Sequence, residues 1–220
     1  SIKNNINQNK KLNKEFNNYL GSKFTDNEIK KTIISKKLKY TKPLNIYKSV
    51  AKLIKDGKII AWFQGSSEFG PRALGNRSIL CKPYPANMKD YLNKRVKFRE
   101  YFRPFAPAVL EEKFKEYFDL RQTSPHMLIA CKVKKNKFKK IPAVVHVDNS
   151  CRVQTVSKQT NLRFYNLIKE FYALTSIPIL LNTSFNIKGQ PMVNTPDQAL
   201  STFKSTNIDV LVIGDYVISK

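Results

Sequence analysis

The segment Gln64-Gly-Ser-Ser-Glu-Phe-Gly-Pro-Arg-Ala-Leu-Gly-Asn-Arg-Ser78 follows directly on the apolar run Lys58-Ile-Ile-Ala-Trp-Phe63. The apolar run predicts a buried strand, and the glycines and proline after it predict a loop before a second short strand from about Ser78 to Cys81. Glycine permits positive φ and close approach of the backbone, so the amides and arginine side chains of such a loop can converge on an anion. The segment therefore predicts a strand that opens into a candidate anion site.

Arginine is scarce in this chain and unevenly distributed. It supplies only eight of the 40 Lys and Arg residues, and half of these fall in the loop above and in Lys97-Phe-Arg-Glu-Tyr-Phe-Arg-Pro-Phe-Ala-Pro107. A guanidinium group grips phosphate or carboxylate through two parallel hydrogen bonds, which a lysine ammonium cannot do. The distribution predicts an oxyanion-binding site for a phosphorylated small molecule. The alternatives are a structural loop whose arginines pair with Glu68 or with helix C-termini, and a solvated charged face around Lys97.

The formal net charge of +24 permits two interpretations. A basic surface attracts polyanions such as nucleic acids. The chain is also rich in Asn and Ile, and Lys, Asn and Ile together are what an AT-biased genome favours, so much of the charge can lie on solvated faces. We prefer the second interpretation and do not expect a nucleic-acid partner.

Cysteine and histidine do not indicate a metal site. The three cysteines form no C-x-x-C pair, and His126 and His146 lie 20 residues apart, without the close spacing of a helical metal pair. Reduced thiols are expected in the cytosol, which favours a cytoplasmic location. No apolar run approaches the length of a membrane span, so no membrane association is expected.

Composition divides the chain into three parts. Residues 1–18 are polar and rich in Lys and Asn, and they predict a flexible linker or arm. Residues 19–44 contain the capping-box pattern Thr25-Asp-Asn-Glu28, which predicts a linker helix leading into the domain. Residues 45–220 alternate strand and helix patterns, which predicts an α/β domain on a twisted mixed sheet with flanking helices. The expected elements include a helix from about Ala86 to Val96 and strands at Ala143–Val147, Arg152–Val156 and Ile177–Leu181.

A third candidate loop follows the apolar strand that ends at Leu181, and it carries Asn182, Ser184 and Asn186. Neutral amides and hydroxyls at the C-terminal end of a strand suit a ribose, a carbamoyl amide or a phosphate edge. The alternative is an Asx or Ser turn that satisfies its own backbone. A fourth candidate is Arg152, a single cation that enters an apolar strand.

The sequence offers no conventional catalytic constellation. It shows no Ser/His/Asp or Cys/His arrangement and no paired acid/base carboxylates. Catalysis is therefore expected to depend on positioning and on cations, with Mg²⁺, that offset the charge developing in phosphoryl transfer.

Several long strings in this chain resemble the C-terminal domain of the NodU/CmcH-type O-carbamoyltransferases. The resemblance covers roughly residues 19–220, in order. The strings are Glu68-Phe-Gly-Pro-Arg-Ala-Leu-Gly-Asn-Arg-Ser-Ile-Leu80, Val96-Lys-Phe-Arg-Glu100, Phe102-Arg-Pro-Phe-Ala-Pro107, Arg152-Val-Gln-Thr-Val156 and Leu181-Asn-Thr-Ser-Phe-Asn186.

The resemblance implies a YrdC-like fold that converts carbamoyl phosphate and ATP to an enzyme-held carbamoyl-adenylate, with release of phosphate and pyrophosphate. Mg²⁺ is expected to accompany ATP. A separate N-terminal domain of the ASKHA type, with an iron site, then transfers the carbamoyl group to a hydroxyl of a small-molecule acceptor. That transfer domain and its metal ligands are not part of this sequence and are expected in cis or in trans.

The resemblance also assigns site residues. Arg72, Lys97 and Arg103 are expected to hold carbamoyl phosphate or carbamate and the phosphates of ATP, and these three are the candidate catalytic residues. Asn182 and Ser184 are expected to orient the carbamoyl-adenylate, and Arg152 is expected to bind a phosphate. Lys97-x-Arg99 and Ser184-x-Asn186 are similar to elements of the threonylcarbamoyl-adenylate synthases. The remaining expected nucleotide contacts are Arg77, Arg99 and Asn186. The alternative function is a basic, RNA-directed module related to the same synthases.

Overall fold

The computed structural model describes residues 17–98, 100 and 103–220. The helices in these residues are α1 (Asp26–Ser35), α2 (Ile46–Lys55), α3 (Met88–Leu92), α4 (Phe114–Tyr117), α5 (Leu162–Thr175) and α6 (Pro196–Ser205). The strands are β1 (Ile60–Phe63), β2 (Arg77–Cys81), β3 (Ala106–Leu110), β4 (Phe118–Asp119), β5 (Ala130–Val133), β6 (Ser150–Arg152), β7 (Gln154–Val156), β8 (Ile179–Ser184), β9 (Val210–Ile213) and β10 (Tyr216–Ser219).

Within the described residues, seven strands form one mixed sheet in the order β10-β9-β1-β2-β8-β3-β7. β1 runs parallel to β9 and β3 runs parallel to β7, whereas the other neighbours in the sheet are antiparallel. A smaller antiparallel sheet has the order β4-β5-β6. The strands and helices confirm the predicted α/β class with a mixed sheet and flanking helices.

Both faces of the large sheet are covered. Successive side chains of a strand point to opposite faces, so in β1 Ile60 and Trp62 join one hydrophobic cluster while Ala61 and Phe63 join the other. Helices α2 and α5 pack on the first face, and α1, α6 and the smaller sheet pack on the second. The strands read as continuous apolar runs because both of their faces are buried.

Local sequence signals set the helix starts. The predicted capping box at Thr25 is confirmed: its hydroxyl accepts from the amide of Glu28, and the Glu28 carboxylate accepts from the amide of Thr25. Thr195 begins α6 in the same way, with Gln198 as its partner and a proline as the first helical residue.

Residues between 17 and 44 pack against the rest of the domain. In α1, Ile29 and Ile33 are buried in the same cluster as the second face of the sheet. Thr41 forms an antiparallel bridge with Val217, and the amide of Gly21 donates to the carbonyl of Ser67. The helix predicted as a linker is thus part of the packed structure. Residues 1–16 of the predicted arm lie outside the described residues.

Four expected elements differ from the structure. The strand predicted at Ala143–Val147 is wrong, because Pro142–Val144 forms a 3₁₀ turn. Its backbone groups are paired by short-range hydrogen bonds, and the amide of Ala143 donates to the carbonyl of Pro83. The helix expected near Val96 is α3 followed by a π-helical turn, Asn93–Lys97.

The third difference concerns the strand expected at Arg152–Val156. It is divided between two sheets, because β6 pairs with β5 in the smaller sheet and β7 pairs with β3 in the larger one. The strand expected to end at Leu181 also continues, as β8, to Ser184.

No helix in the described part of the chain is long and apolar enough to cross a membrane.

Candidate functional site

Several strand ends meet at one edge of the large sheet. β8 is antiparallel to both β2 and β3, so its last residues lie beside the first residues of those strands: Ser184 pairs with Ser78, and Asn182 pairs with Ala106. β7 runs parallel to β3 and begins at Gln154 on the same side. The loop of residues 64–76, here called the arginine loop, the stretch before β3 and the loop after β8 therefore converge at this edge.

Lys97 connects two of these loops. Its side chain is only 4% exposed, and the backbone turns sharply after it, with Phe98 at φ 46°. The Lys97 ammonium donates to the carbonyl of Ser184, and it lies 3.3 Å from Ser184 Oγ, 3.0 Å from the Asn186 carbonyl and 2.8 Å from Asn186 Oδ1. Ser184 Oγ in turn donates to Asn186 Oδ1 at 2.7 Å. The structure thus brings together three of the predicted site residues.

Arg72 and Arg152 carry like charges that influence each other. The pKa of the Arg152 guanidinium is lowered, first by burial and then by the positive charge of Arg72. Arg152 Nε is buried without a hydrogen-bond partner. Within the described residues, neither arginine forms an ion pair. A bound anion would stabilise two guanidinium groups whose charges affect each other and that form no ion pair within the described residues.

His146 lies close enough to Arg152 to be affected by its charge. Burial lowers the pKa of the His146 imidazole, and the nearby charges of Arg152 and Lys89 lower it further, while Asp148 acts in the opposite sense. The spacing of the two histidines in the sequence argued only against a helical metal pair. The proximity of His146 to Arg152 depends on the turn that joins the 3₁₀ segment to β6.

Arg103 has an acidic neighbour. Its Nε lies 2.9 Å from Oε2 of Glu100, and both side chains are about half exposed. Glu100 also lies 4.0 Å from Lys188. Glu100 is therefore the acidic partner of Arg103 in the segment before β3. The predicted contact at Arg99 falls outside the described residues.

Arg77 occupies a different place from the one predicted. Its side chain is completely buried beneath the arginine loop and lies over the ring of Phe63. The guanidinium donates to backbone carbonyls of Gln64, Ser22 and Gly65. Its charge therefore stabilises the loop from within, and we leave Arg77 out of the proposed ligand contacts.

A buried hydrogen-bond network holds the arginine loop to the sheet. Asn182 Nδ2 donates to the carbonyl of Ala73 at 3.1 Å and to Gln154 Oε1 at 2.9 Å. Gln154 Nε2 donates to the carbonyl of Leu74 at 2.8 Å, which also accepts from the hydroxyl of Tyr19 at 3.0 Å. Asn182 thus lies beneath the surface, with its Oδ1 buried and unpartnered. Gln154 was missed in the sequence, although it stands two residues from Arg152.

Two cavities adjoin the arginine loop. One, of about 190 Å³, has Arg72 in its wall together with Phe69, Pro71, His126 and Leu128. The other, of about 230 Å³, shares Asn18, Leu74 and His126 with the first and continues to Gln159 and Thr160. Space for a small ligand therefore lies directly beside Arg72.

The described residues do not bring together three or more His, Cys, Asp or Glu side chains in a way that could hold a metal ion. Mg²⁺ needs few protein ligands when substrate phosphates coordinate it. A Mg²⁺ ion bound to ATP stays a prediction.

The sheet order and the loops at its edge define a YrdC-like α/β domain. Full-length HypF in its phosphate- and nucleotide-bound form aligns with a TM-score of 0.55 and 21% identity, over 80% of this chain and 26% of HypF. YciO of E. coli aligns with a TM-score of 0.55 and 11% identity, over 77% of each chain. At these identities the similarity concerns the fold.

The chain belongs to the carbamoyltransferase C-terminus family, whose family model matches residues 51–220. The nodulation protein NolNO of Sinorhizobium fredii is 50% identical over 77% of this chain, and the nodulation protein NolO of Bradyrhizobium diazoefficiens is 46% identical over 80%. The chain spans 25% of NolNO and 33% of NolO. It is therefore a carbamoyltransferase-type domain that corresponds to part of these relatives.

Proposed function

We propose that this domain forms carbamoyl-adenylate from carbamoyl phosphate and ATP, as the activating half of an O-carbamoyltransferase. The observation that carries the proposal is the contact of the Lys97 ammonium with Ser184 and Asn186 at the sheet edge where the arginine loop also ends. The family places the chain among carbamoyltransferases, and the site joins a buried cation to neutral hydroxyl and amide groups. Such a combination suits a substrate that carries both phosphate and carbamoyl groups.

In the proposed assignment, each cationic side chain of the site binds or stabilises a different negatively charged group of the substrates. Arg72 and Arg152 bind phosphate oxygens, because their charges lie close together and an anion relieves their repulsion. Lys97 stabilises the charge that develops on the transferred group. Arg103 exchanges Glu100 for a substrate oxyanion when the site fills. Ser184 and Asn186 orient the carbamoyl group, and Asn182 holds the arginine loop beside them through its bonds to Ala73 and Gln154.

The proposed reaction balances with one water molecule. Water attacks the phosphorus of carbamoyl phosphate, the bond to the carbamate oxygen breaks, and phosphate leaves. The freed carbamate oxygen attacks the α-phosphorus of ATP, and the bond from this phosphorus to the oxygen bridging to the β-phosphate breaks. Pyrophosphate leaves with the bonding electrons, and carbamoyl-adenylate remains. Positioned cations can accelerate both displacements because negative charge is redistributed in each.

Carbamoyl transfer to an acceptor is proposed to need the transfer domain that the relatives' additional length can accommodate. The acceptor is proposed to be a hydroxyl-bearing small molecule, because the expected product is an O-carbamoyl ester. We propose that the reaction takes place in the cytoplasm, where ATP and carbamoyl phosphate are both available.

The test is pyrophosphate release from ATP by the purified chain, with and without carbamoyl phosphate, and with calorimetric titration of ATP in parallel. We expect release that depends on carbamoyl phosphate and that is lost in Lys97→Ala and Arg103→Ala. Arg121→Ala is the matched control, because Arg121 is exposed and lies outside the site. Undiminished release in both site variants would contradict the residue assignment. Absence of both release and ATP binding in the wild-type chain would contradict the proposed function.

A further inference from the structure

The arginine loop closes around one of its own carboxylates. Glu68 is 6% exposed, and its Oε1 accepts from three backbone amides: Leu74 at 2.7 Å, Asn76 at 2.7 Å and Arg77 at 3.1 Å. Converging backbone amides of this kind usually bind a phosphate or another external anion. In this loop the internal carboxylate occupies them, so substrate binding depends on the side chains that the loop presents outward.

This closure fixes both ends of the segment that carries Arg72. Glu68 precedes residues 69–73, and its bond to the amide of Leu74 ties the far end of the segment back to its start. The segment turns at Gly70, which has φ of 120°. Arg72 therefore projects from a short tethered ring, and its direction depends on the bond that closes the ring.

Leu74 is held on its other side as well. Its carbonyl accepts from Gln154 and from Tyr19, while its amide donates to Glu68. Glu68 thus binds the amide of Leu74, while Gln154 and Tyr19 bind its carbonyl. Loss of the carboxylate would loosen residues 70–72, while the amide of Phe69 keeps its bond to Asn18 and the carbonyl of Ala73 keeps its bond to Asn182. The orientation of Arg72 can therefore change while the ends of its segment stay attached.

We infer that Glu68 is a positioning residue that holds Arg72 in the orientation needed for oxyanion binding. This inference rests on the proposed function, in which Arg72 binds a phosphate oxygen. The Oε1 of Glu68 accepts from the loop amides and is not offered to the substrate. Glu68 is therefore proposed to act by orienting Arg72. A neutral Gln at this position keeps one acceptor oxygen and is therefore the conservative variant, whereas Ala removes the closure.

The first experiment is a double-mutant comparison of pyrophosphate release with Arg72→Ala, Glu68→Ala and both together. Because the two residues act as one unit, we expect each single variant to lower kcat/KM by about tenfold or more and the double variant to lose at most about twofold beyond the worse single one. Glu68→Gln is expected to fall between wild type and Glu68→Ala. Losses that multiply in the double variant would overturn the coupling.

Glu28→Ala is the matched control for a structural effect. Its carboxylate also accepts from a backbone amide, that of Thr25 at 2.7 Å, but at the start of α1. Glu28→Ala is expected to lower Tm without a change in kcat or KM. An equal kinetic loss in Glu28→Ala would show that lost stability, and not the orientation of Arg72, explains the Glu68 variants.

A second readout does not depend on catalysis. Trypsin cleaves after arginine, and mass spectrometry can follow the bond between Arg72 and Ala73 in the native chain. We expect Glu68→Ala to speed this cleavage by about tenfold or more, because a tethered loop resists the protease until it opens locally. An unchanged rate would overturn the positioning role. If Arg72→Ala leaves pyrophosphate release intact, the proposed role of Arg72 fails, while the cleavage rate still decides whether Glu68 closes the loop.

Discussion

The ammonium of Lys97 lies 2.8 Å from Oδ1 of Asn186, a residue 89 positions further along the chain. The contact joins the end of a π-helical turn to the loop after β8, and it includes the hydroxyl of Ser184. A buried lysine is costly unless its hydrogen-bonding capacity is satisfied. Its position among neutral oxygens at the sheet edge is accordingly the centre of the proposed site.

Replacement of Lys97 by Ala should abolish most of the pyrophosphate release. We expect a loss of about a hundredfold or more, because a preorganised cation that faces developing charge contributes that order of rate. Lys97→Arg should not restore activity, since a guanidinium fork cannot occupy the space of an ammonium between Ser184 and Asn186. Lys94→Ala is the control, because Lys94 lies on the same turn with its side chain exposed. Activity near the wild-type level in Lys97→Ala would remove the lysine from the mechanism.

Arg152→Leu should have opposite effects on the empty and the ligand-bound protein. Without ligand, removal of a partly buried cation beside Arg72 should leave Tm unchanged or raise it, because the two charges repel each other. With pyrophosphate at a hundredfold excess over Kd, the wild-type chain should gain about 2.7 kcal/mol. For a domain of this size, that gain corresponds to a rise in Tm of roughly 5 to 10 °C.

The Arg152→Leu variant should lose most of this rise, which thermal melts with and without pyrophosphate would measure. Arg121→Leu should retain it. Equal stabilisation of Arg152→Leu and wild type would show that the anion binds elsewhere.

The stability of the domain should fall in mildly acidic solution because of His146. Its pKa is lowered in the folded chain by burial and by Arg152 and Lys89, with Asp148 opposing them. The unfolded chain therefore takes up a proton first, so the contribution of His146 is complete above about pH 6.5 and is lost as the pH falls through the folded pKa. Tm measured between about pH 8 and 5 should decline more in wild type than in His146→Gln. Parallel curves would mean that other groups cause the decline.

Two glycines of the arginine loop should respond differently to the same substitution. Gly70 and Gly75 both have positive φ, of 120° and 105°. A Cβ at Gly70 would meet nothing within 4 Å, whereas one at Gly75 would lie 2.2 Å from the ring of Phe164. Gly70→Ala should cost about 1 kcal/mol through backbone strain. Gly75→Ala should cost about 1–3 kcal/mol more through overpacking against the helix. Denaturant unfolding would measure both, and similar losses would contradict the packing explanation.

Local patterns predicted much of the fold and part of the site. The α/β class, the capping box at Thr25 and the loops that carry Arg72, Lys97 and Ser184 followed from apolar runs, glycines and proline. These features depend on neighbours in sequence. The meeting of Lys97 with Ser184 was implied by the family resemblance, since no local pattern reports a contact across 87 residues.

What the sequence did not reveal depends on long-range partners. Glu68 looked like a possible partner for an arginine side chain, but it binds loop amides because the loop folds back on itself. Gln154 gains its position from the split of one apolar run between two sheets. His146 gains its position from the turn that leads into β6. Arg72 and Arg77 lie in the same glycine-rich loop, and the sequence does not distinguish their roles. The contacts of Arg77 with the carbonyls of Ser22 and Gln64 show that it is buried.

The parallel pairing of β1 with β9 also governs how this domain can be synthesised. Ile59, just before β1, donates to Asp209 across 150 residues, so one side of β1 stays uncovered until the last part of the domain has been translated. At about 5 to 20 residues per second, the ribosome needs roughly 8 to 30 seconds to supply that partner. During this interval the nascent chain exposes an apolar strand edge of the kind that templates aggregation. Fast synthesis, or cotranslational protection of this strand edge by a chaperone, would therefore raise the yield of folded protein.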